Sequence, residues 1–154
     1  MNWDSLIKSF STYLRIERSL STNTIESYSN DLKKLADFLT TKSISATKVR
    51  LNDLKDFITS ISEILSETSQ SRIISAIKSF YKFLLIENLI QSDPSENLVS
   101  PKIGRKLPNV LTIEEINQII SSVELNKVGI RNKAIIEIVY GCGLRVSELT
   151  NLLL

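Results

Sequence analysis

Apolar residues recur every three or four positions along almost the whole chain, the spacing of one face of an α-helix. Trp3, Leu6, Ile7, Phe10, Tyr13 and Leu14 form a first stripe, which ends near the polar stretch 17–21. A second helix is predicted to begin between Ser21 and Asn23, with Asn23 and Glu26 spaced as a capping box. Its stripe is Ile25, Tyr28, Leu32, Leu35, Ala36 and Leu39, and the polar stretch 40–48 breaks the period. A third helix reads from Asn52, a good N-cap, through Leu54, Phe57, Ile58 and Ile61. A fourth spans roughly 69–87, with Ile73, Ile77, Phe80, Leu84 and Leu85 on one face. Asp93-Pro94 closes that region, because the residue before proline is pushed out of the helical basin, and a short turn at 95–98 is expected.

Four amphipathic helices joined by short loops predict a small all-α bundle. Phe10, Leu32, Ile77, Phe80 and Leu84 are its expected core. Residues 99–108 then read as a linker, with two prolines, one glycine and the basic residues Lys102, Arg105 and Lys106. Thr112-Ile113-Glu114-Glu115 is a second capping-box pattern, opening a helix that carries Ile116, Ile119 and Ile120. Another helix is expected over about 129–140, then a turn at Gly141-Cys142-Gly143, then a last short helix over 145–153. The 46 residues from 109 onward are few for an independent core, and the apolar end predicts a chain cut inside a second domain.

Composition narrows the classes. Four Gly and three Pro in 154 residues argue against collagen-like, low-complexity and turn-rich all-β chains. One cysteine and no histidine exclude an internal disulfide framework, a Cys/His zinc site and any Ser-His-Asp or Cys-His centre. No apolar run approaches the ~18 residues of a membrane span. The first ten residues lack the basic and apolar regions of a secretory signal, so a cytoplasmic location is the expectation. Net charge is +2, from 19 basic and 17 acidic residues. The excess is local: residues 1–98 carry equal numbers of each sign, while 99–108 carry three basic residues and no acid.

Charge placement within the fourth helix says more. Ser71, Ser75, Lys78 and Lys82 share one side at helical spacing, with Arg72 beside them, and no acid occurs between Gln70 and Leu85. Such a face suits phosphate neutralisation in a groove; it is equally the pattern of a solvated surface. Ser21, Thr22, Asn23 and Thr24 offer hydroxyls and the free N–H groups of a helix start, a seat for phosphate, or ordinary capping. Lys102, Arg105 and Lys106 suit a backbone-tracking linker or a merely soluble one. Tyr13, Tyr28, Tyr81 and Tyr140 lie in helices beside apolar stripes and read as packing residues. Cys142 reads as a small packing residue.

The string Gly141-Cys142-Gly143-Leu144-Arg145-Val146-Ser147-Glu148-Leu149 resembles the first catalytic-arginine motif of the tyrosine recombinases, the phage integrase family. Cys142 stands where Thr or Ser is commoner. Upstream, Leu20-Ser21-Thr22-Asn23-Thr24-Ile25 with Tyr28 and Asp31-Leu32 resembles the second helix of that family's core-binding domain. Ser71-Arg72, Ser75-Ala76-Ile77 and Phe80-Tyr81-Lys82-Phe83-Leu84 resemble its fourth. Asn97, Pro101-Lys102, Leu107-Pro108 and Leu111-Thr112 are similar to the interdomain linker and the opening of the catalytic domain. The likeness covers essentially the whole chain and is nearest to the Xer-like branch.

The resemblance implies a SAM-like four-helix core-binding domain over 1–98, a basic linker over 99–108 and the first helices of a catalytic domain over 109–154. It implies double-stranded DNA as partner, clamped between two domains, and other recombinase protomers, four on DNA. Small-molecule substrates, metals, nucleotide cofactors and membranes have no part in it. The reaction is strand cleavage and rejoining through a 3′-phosphotyrosyl link, used in DNA integration and recombination. Arg145 takes the place of the catalytic arginine, with Glu148 to orient it. The remaining catalytic groups and the nucleophilic tyrosine fall beyond residue 154, so this chain is expected to bind DNA without cutting it. Two other readings stand beside this one: a self-sufficient DNA-binding accessory or integrase relic, and a helical protein-interaction domain with no nucleic-acid role.

Overall fold

The computed structural model describes residues 2–102, 104, 109–124 and 126–152. It contains seven α-helices and no strand among those residues. The chain divides into two compact units, residues 1–104 and 105–154.

The first unit is a bundle of α1 (Trp3–Ile16), α2 (Thr22–Thr41), α3 (Leu51–Ser62) and α4 (Glu67–Ile86), with a 3-10 turn at Ala46–Lys48. Phe10, Leu32, Ile77, Phe80 and Leu84 are all fully buried, as their spacing predicts. An aromatic seam joins α1 to α4: Phe10 meets Phe80 edge-on at 5.5 Å, and Trp3 stacks on Phe80 at 6.0 Å. Such pairs add to the apolar burial that drives the bundle together. α4 contributes more buried residues than any other helix. Its buried set, Ile73, Ile74, Ala76, Ile77, Phe80, Tyr81, Phe83 and Leu84, is wider than the single stripe expected of it. Leu85, expected on that stripe, is instead 39% exposed, because Tyr81 and Leu84 already fill the inward positions of the last turn.

Buried polar groups close the loops between helices. Gln70 donates its Nε2 to the carbonyls of Leu65 at 2.7 Å and Ser62 at 3.3 Å, satisfying backbone acceptors left open where α3 ends. Trp3 donates Nε1 to the Ile44 carbonyl at 3.2 Å, tying the start of α1 to the loop after α2. The turn after Pro94 closes with the amide and hydroxyl of Ser95 both donating to Asp93 Oδ1.

Two helices of the first unit end without glycine. After α2, Ser43 adopts φ 58°, and the amides of Ser43 and Ile44 donate to the carbonyls of Thr40 and Leu39. After α4, Asn88 adopts φ 56°, and the amides of Asn88 and Leu89 donate to Leu85 and Leu84. These are Schellman caps with a polar residue where glycine is usual. Each turns the next apolar residue, Ile44 or Leu89, back against the core.

Several helix ends differ from those the sequence predicts. The N-cap of α2 is Ser21, whose Oγ accepts from the Thr24 amide at 3.3 Å, so Asn23 and Glu26 do not form the capping box. α3 begins one residue before Asn52. Arg50 is its N-cap, and the Arg50 amide donates to Asp53 Oδ2 at 2.8 Å. α4 begins at Glu67 under a Ser66 cap. In each case a second hydroxyl or carboxylate nearby outcompetes the residue chosen from spacing.

The second unit holds α5 (Ile113–Ser121), α6 (Lys127–Cys142) and α7 (Val146–Thr150). The Thr112–Glu115 capping box forms as expected: Thr112 Oγ1 accepts from the Glu115 amide, and the Thr112 amide donates to Glu115 Oε2. Gly129 packs so closely on the Glu124 carbonyl that a β-carbon there would collide with it. Among the described residues of this unit only Gly129 is buried. Tyr140, expected at a core edge, is 52% exposed. Cys142, expected to pack, is exposed at the end of α6. Gly141 and Cys142 complete the last turn of α6 rather than a loop, and Gly143 alone makes the turn. No helix among the described residues is long and apolar enough to cross a membrane.

Candidate nucleic-acid interface

Two elements of the first unit, the start of α2 and one face of α4, carry most of the candidate DNA-binding residues. At the start of α2, Ser21, Thr22 and Asn23 are exposed and Thr24 is half-buried. The Ser21 and Thr24 hydroxyls lie 2.9 Å apart, and Ser21 Oγ caps the Thr24 amide. The first amides of a helix have no intrahelical partner, so those of Thr22 and Asn23 remain available to an anion alongside the capping arrangement.

On α4, Arg72, Ser75 and Lys82 are exposed, while Ser71 and Lys78 are half-buried. The strip from Arg72 to Lys82 spans ten residues, about 15 Å of helix. Its members are not equally free. The Ser75 hydroxyl donates to the Ser71 carbonyl at 2.9 Å, so it presents lone pairs outward until it rotates. Lys78 Nζ reaches the Glu96 carbonyl at 3.5 Å, the outer limit of a hydrogen bond.

Arg72, which the sequence places to one side of the strip, proves to be its link to α2. Its Nη1 lies 2.8 Å from Asp31 Oδ2 and 3.5 Å from the Ser27 carbonyl. Ser27 is one turn along α2 from Asn23 and Thr24, about 5 Å along the axis. The start of α2 and the basic face of α4 therefore form one continuous surface, with Arg72 at the seam. Asp31 itself is 1% exposed, and neither of its oxygens gains an aligned hydrogen bond. Lys34 Nζ lies at 3.9 Å. Burial raises the Asp31 carboxyl above its ordinary value, against the lowering effects of Arg72 and Lys34. Sequence reasoning missed this residue as a site component. Its signal was an acid on the apolar side of α2, between Tyr28 and Leu32.

Of the linker residues, Lys102 is exposed. Arg105 and Lys106 lie outside the described residues.

In the second unit, Gly143 takes φ 64°, a left-handed turn that glycine adopts without strain. The turn ends α6 and delivers Arg145 to the N-cap of α7. One carboxylate holds it twice: Glu148 Oε2 accepts the Arg145 amide at 2.8 Å and Oε1 accepts its Nη1 at 3.1 Å. The Arg145 side chain is otherwise 82% exposed, leaving the rest of its guanidinium fork open. A fork of this kind binds two oxygens of one phosphate and stays charged at any working pH.

Two family models match the chain, one within each unit. Residues 7–88 match the phage integrase N-terminal SAM-like domain, and residues 109–154 match the phage integrase family. The chain belongs to the phage integrase family.

Its relatives are tyrosine recombinases. It is 38% identical over 149 residues to tyrosine recombinase XerD of Oceanobacillus iheyensis, covering 95% of this chain and 50% of that protein. It is 39% identical over 155 residues to XerD of Chlorobaculum tepidum, covering 97% and 51%. The chain thus spans about half the length of these relatives. Among solved structures, the Tn1549 transposon integrase in complex with circular intermediate DNA matches at a TM-score of 0.64. That match has 21% identity and covers 96% of this chain and 48% of that one; at such identity the likeness concerns the fold.

Proposed function

We propose that this chain acts on double-stranded DNA as part of a Xer-like site-specific tyrosine recombinase in the cytoplasm. Residues 1–98 are its core-binding domain, 99–108 its linker and 109–154 the opening of its catalytic domain. The observation that carries the reading is the continuous surface from Ser21–Thr24 through Arg72 to Lys82, which is basic, hydroxyl-rich and lacks an exposed acid on its α4 part. Lys78 and Lys82 neutralise phosphates, the α2 start binds one through its free amides, and Lys102, Arg105 and Lys106 follow the backbone. The solved relative bound to circular intermediate DNA supports this choice of partner.

Arg145 is the catalytic group that this chain contributes. In phosphoryl transfer, charge spreads over the non-bridging oxygens of the scissile phosphate, and a pre-set guanidinium lowers its cost. Glu148 holds that guanidinium in place. A tyrosine hydroxyl attacks phosphorus, a 3′-phosphotyrosyl bond forms and the 5′-hydroxyl departs; neither metal nor nucleotide cofactor is required. None of this chain's four tyrosines is assigned as the nucleophile. Tyr81 is fully buried, with its hydroxyl 3.4 Å from the Ala46 carbonyl, and burial pushes its ionisation far up. Tyr13 and Tyr28 pack at the bundle's edge. Tyr140 is 52% exposed on α6 and lies outside the motifs that carry the resemblance. The chain is read as binding without cutting, with cleavage in an assembly of four recombinase protomers on the paired sites.

The test is a titration of duplex DNA against salt. Phosphate contacts make the logarithm of the binding constant fall linearly with that of salt concentration, by nearly one unit per contact. A slope of several units is expected; a slope near zero overturns the reading.

A further inference from the structure

Asp31 poses a physical question that capping and packing leave unanswered. A carboxylate that is 1% exposed, without an aligned hydrogen bond, is an expensive group to keep in a bundle. A buried ion pair of this kind is weak support for stability, since apolar replacements of similar volume are often neutral or stabilising. Its one close partner is Arg72, at 2.8 Å across the α2–α4 contact. Arg72 is 42% exposed, and Asp31 and the Ser27 carbonyl engage only its Nη1. An unanchored Arg is a flexible side chain that loses much rotamer freedom on binding. One clamped at a single nitrogen presents its remaining donors in a fixed plane.

We propose that Asp31 is a positioning residue, which anchors Arg72 at the seam of α2 and α4 so that its free guanidinium nitrogens receive one DNA phosphate between the α2 start and Ser71–Ser75. The inference rests on the DNA-binding reading and adds to it a residue that does not touch DNA. It also predicts a sign that plain electrostatics does not. Removing a negative charge close to a polyanion should tighten binding through Coulomb's law alone. Removing a positioning carboxylate should weaken it.

The experiment is a double-mutant cycle on the 154-residue chain, read as duplex affinity and salt slope, with thermal melts by circular dichroism as the folding control. Asp31→Asn keeps the shape and removes the charge. Asp31→Leu is the second variant should the amide prevent folding. Arg72→Ala removes the donor. Expected are a roughly 5–10-fold loss of affinity for each single variant, a salt slope reduced by about one unit in each, and no further loss in the double variant. Unchanged or tighter binding by the Asp31 variant, with Arg72→Ala weakened, overturns the positioning role and leaves the DNA-binding reading intact. Additive losses, or no effect of Arg72→Ala, also overturn it. A wild-type chain that does not bind duplex DNA overturns the parent reading, and this inference with it.

Discussion

Glu148 holds Arg145 at two points, its backbone amide at 2.8 Å and its guanidinium at 3.1 Å, so one carboxylate both caps α7 and aims the arginine. In a full-length recombinase that carries this segment, Arg145→Lys is expected to leave DNA affinity nearly unchanged and to slow cleavage by roughly 10²-fold or more. Removing one pre-set donor from a transition state costs about 3–4 kcal/mol, and lysine keeps the charge without the fork. A substrate nicked near the scissile phosphate traps the phosphotyrosyl adduct on a denaturing gel. The 154-residue chain should give no adduct, and full cleavage by the lysine variant would remove Arg145 from the chemistry.

Lys78→Ala and Lys82→Ala should each weaken DNA binding about equally on any sequence and flatten the salt slope by about one unit. Lys82 has the freer ammonium, because Lys78 reaches the Glu96 carbonyl, so Lys82→Ala is expected to cost no less than Lys78→Ala. Affinity measured on two unrelated duplexes at several salt concentrations checks this. Unchanged slopes in both variants would take the α4 face off the DNA.

The aromatic seam sets the stability of the first unit. Phe10→Ala or Phe80→Ala should each destabilise it by about 3–5 kcal/mol, and Leu32→Ala or Leu84→Ala by about 2–5 kcal/mol. All four side chains are fully buried, so loss of transfer energy and an unfilled cavity act together. Urea unfolding followed by far-ultraviolet circular dichroism measures the loss, and a change under 1 kcal/mol at Phe80 would contradict its place in the seam.

Ser43 occupies a left-handed position at φ 58°, a conformation that costs a residue with a β-carbon roughly 1–2 kcal/mol. Ser43→Gly should stabilise the chain by about 0.5–1 kcal/mol after the extra entropy of glycine in the unfolded state is subtracted. Asn88→Gly should gain less, since asparagine tolerates this region better than serine. Matched urea melts of the two variants provide the comparison.

Asp31 should leave a mark on the pH dependence of stability. Its carboxyl is raised by burial above the ordinary 3.8, with Arg72 and Lys34 acting in the opposite direction. A carboxyl raised in the folded state holds its proton more tightly there. Its stabilising contribution is present below the ordinary value and is lost as pH climbs through the raised one. The unfolding free energy of wild type relative to Asp31→Asn is therefore expected to fall from pH 4 towards neutrality. A difference that is flat, or that rises, would show that Arg72 outweighs the burial.

Much of this protein is written in its amino-acid pattern. Apolar residues at a 3.6 period mark the side of each helix that can face its neighbours, so the four-helix bundle and the burial of Phe10, Leu32, Ile77, Phe80 and Leu84 could be read directly. The Thr112–Glu115 capping box and the Gly-Leu-Arg turn are equally local, since hydrogen bonds over three residues and a left-handed glycine involve no distant partner. Tertiary structure decided the rest. Several side chains compete at the helix starts: Ser21 Oγ rather than Asn23 caps α2, and the Asp53 carboxylate, accepting the Arg50 amide, sets the start of α3 before Asn52, through geometry that spacing does not contain. Tyr140 and Cys142 lie in an apolar pattern, yet are exposed because burial requires an opposing surface and not only a stripe. The ion pair of Asp31 and Arg72 joins residues 41 positions apart. Only the packing of α2 on α4 makes an acid in an apolar stripe the ion-pair partner of an arginine on a basic face.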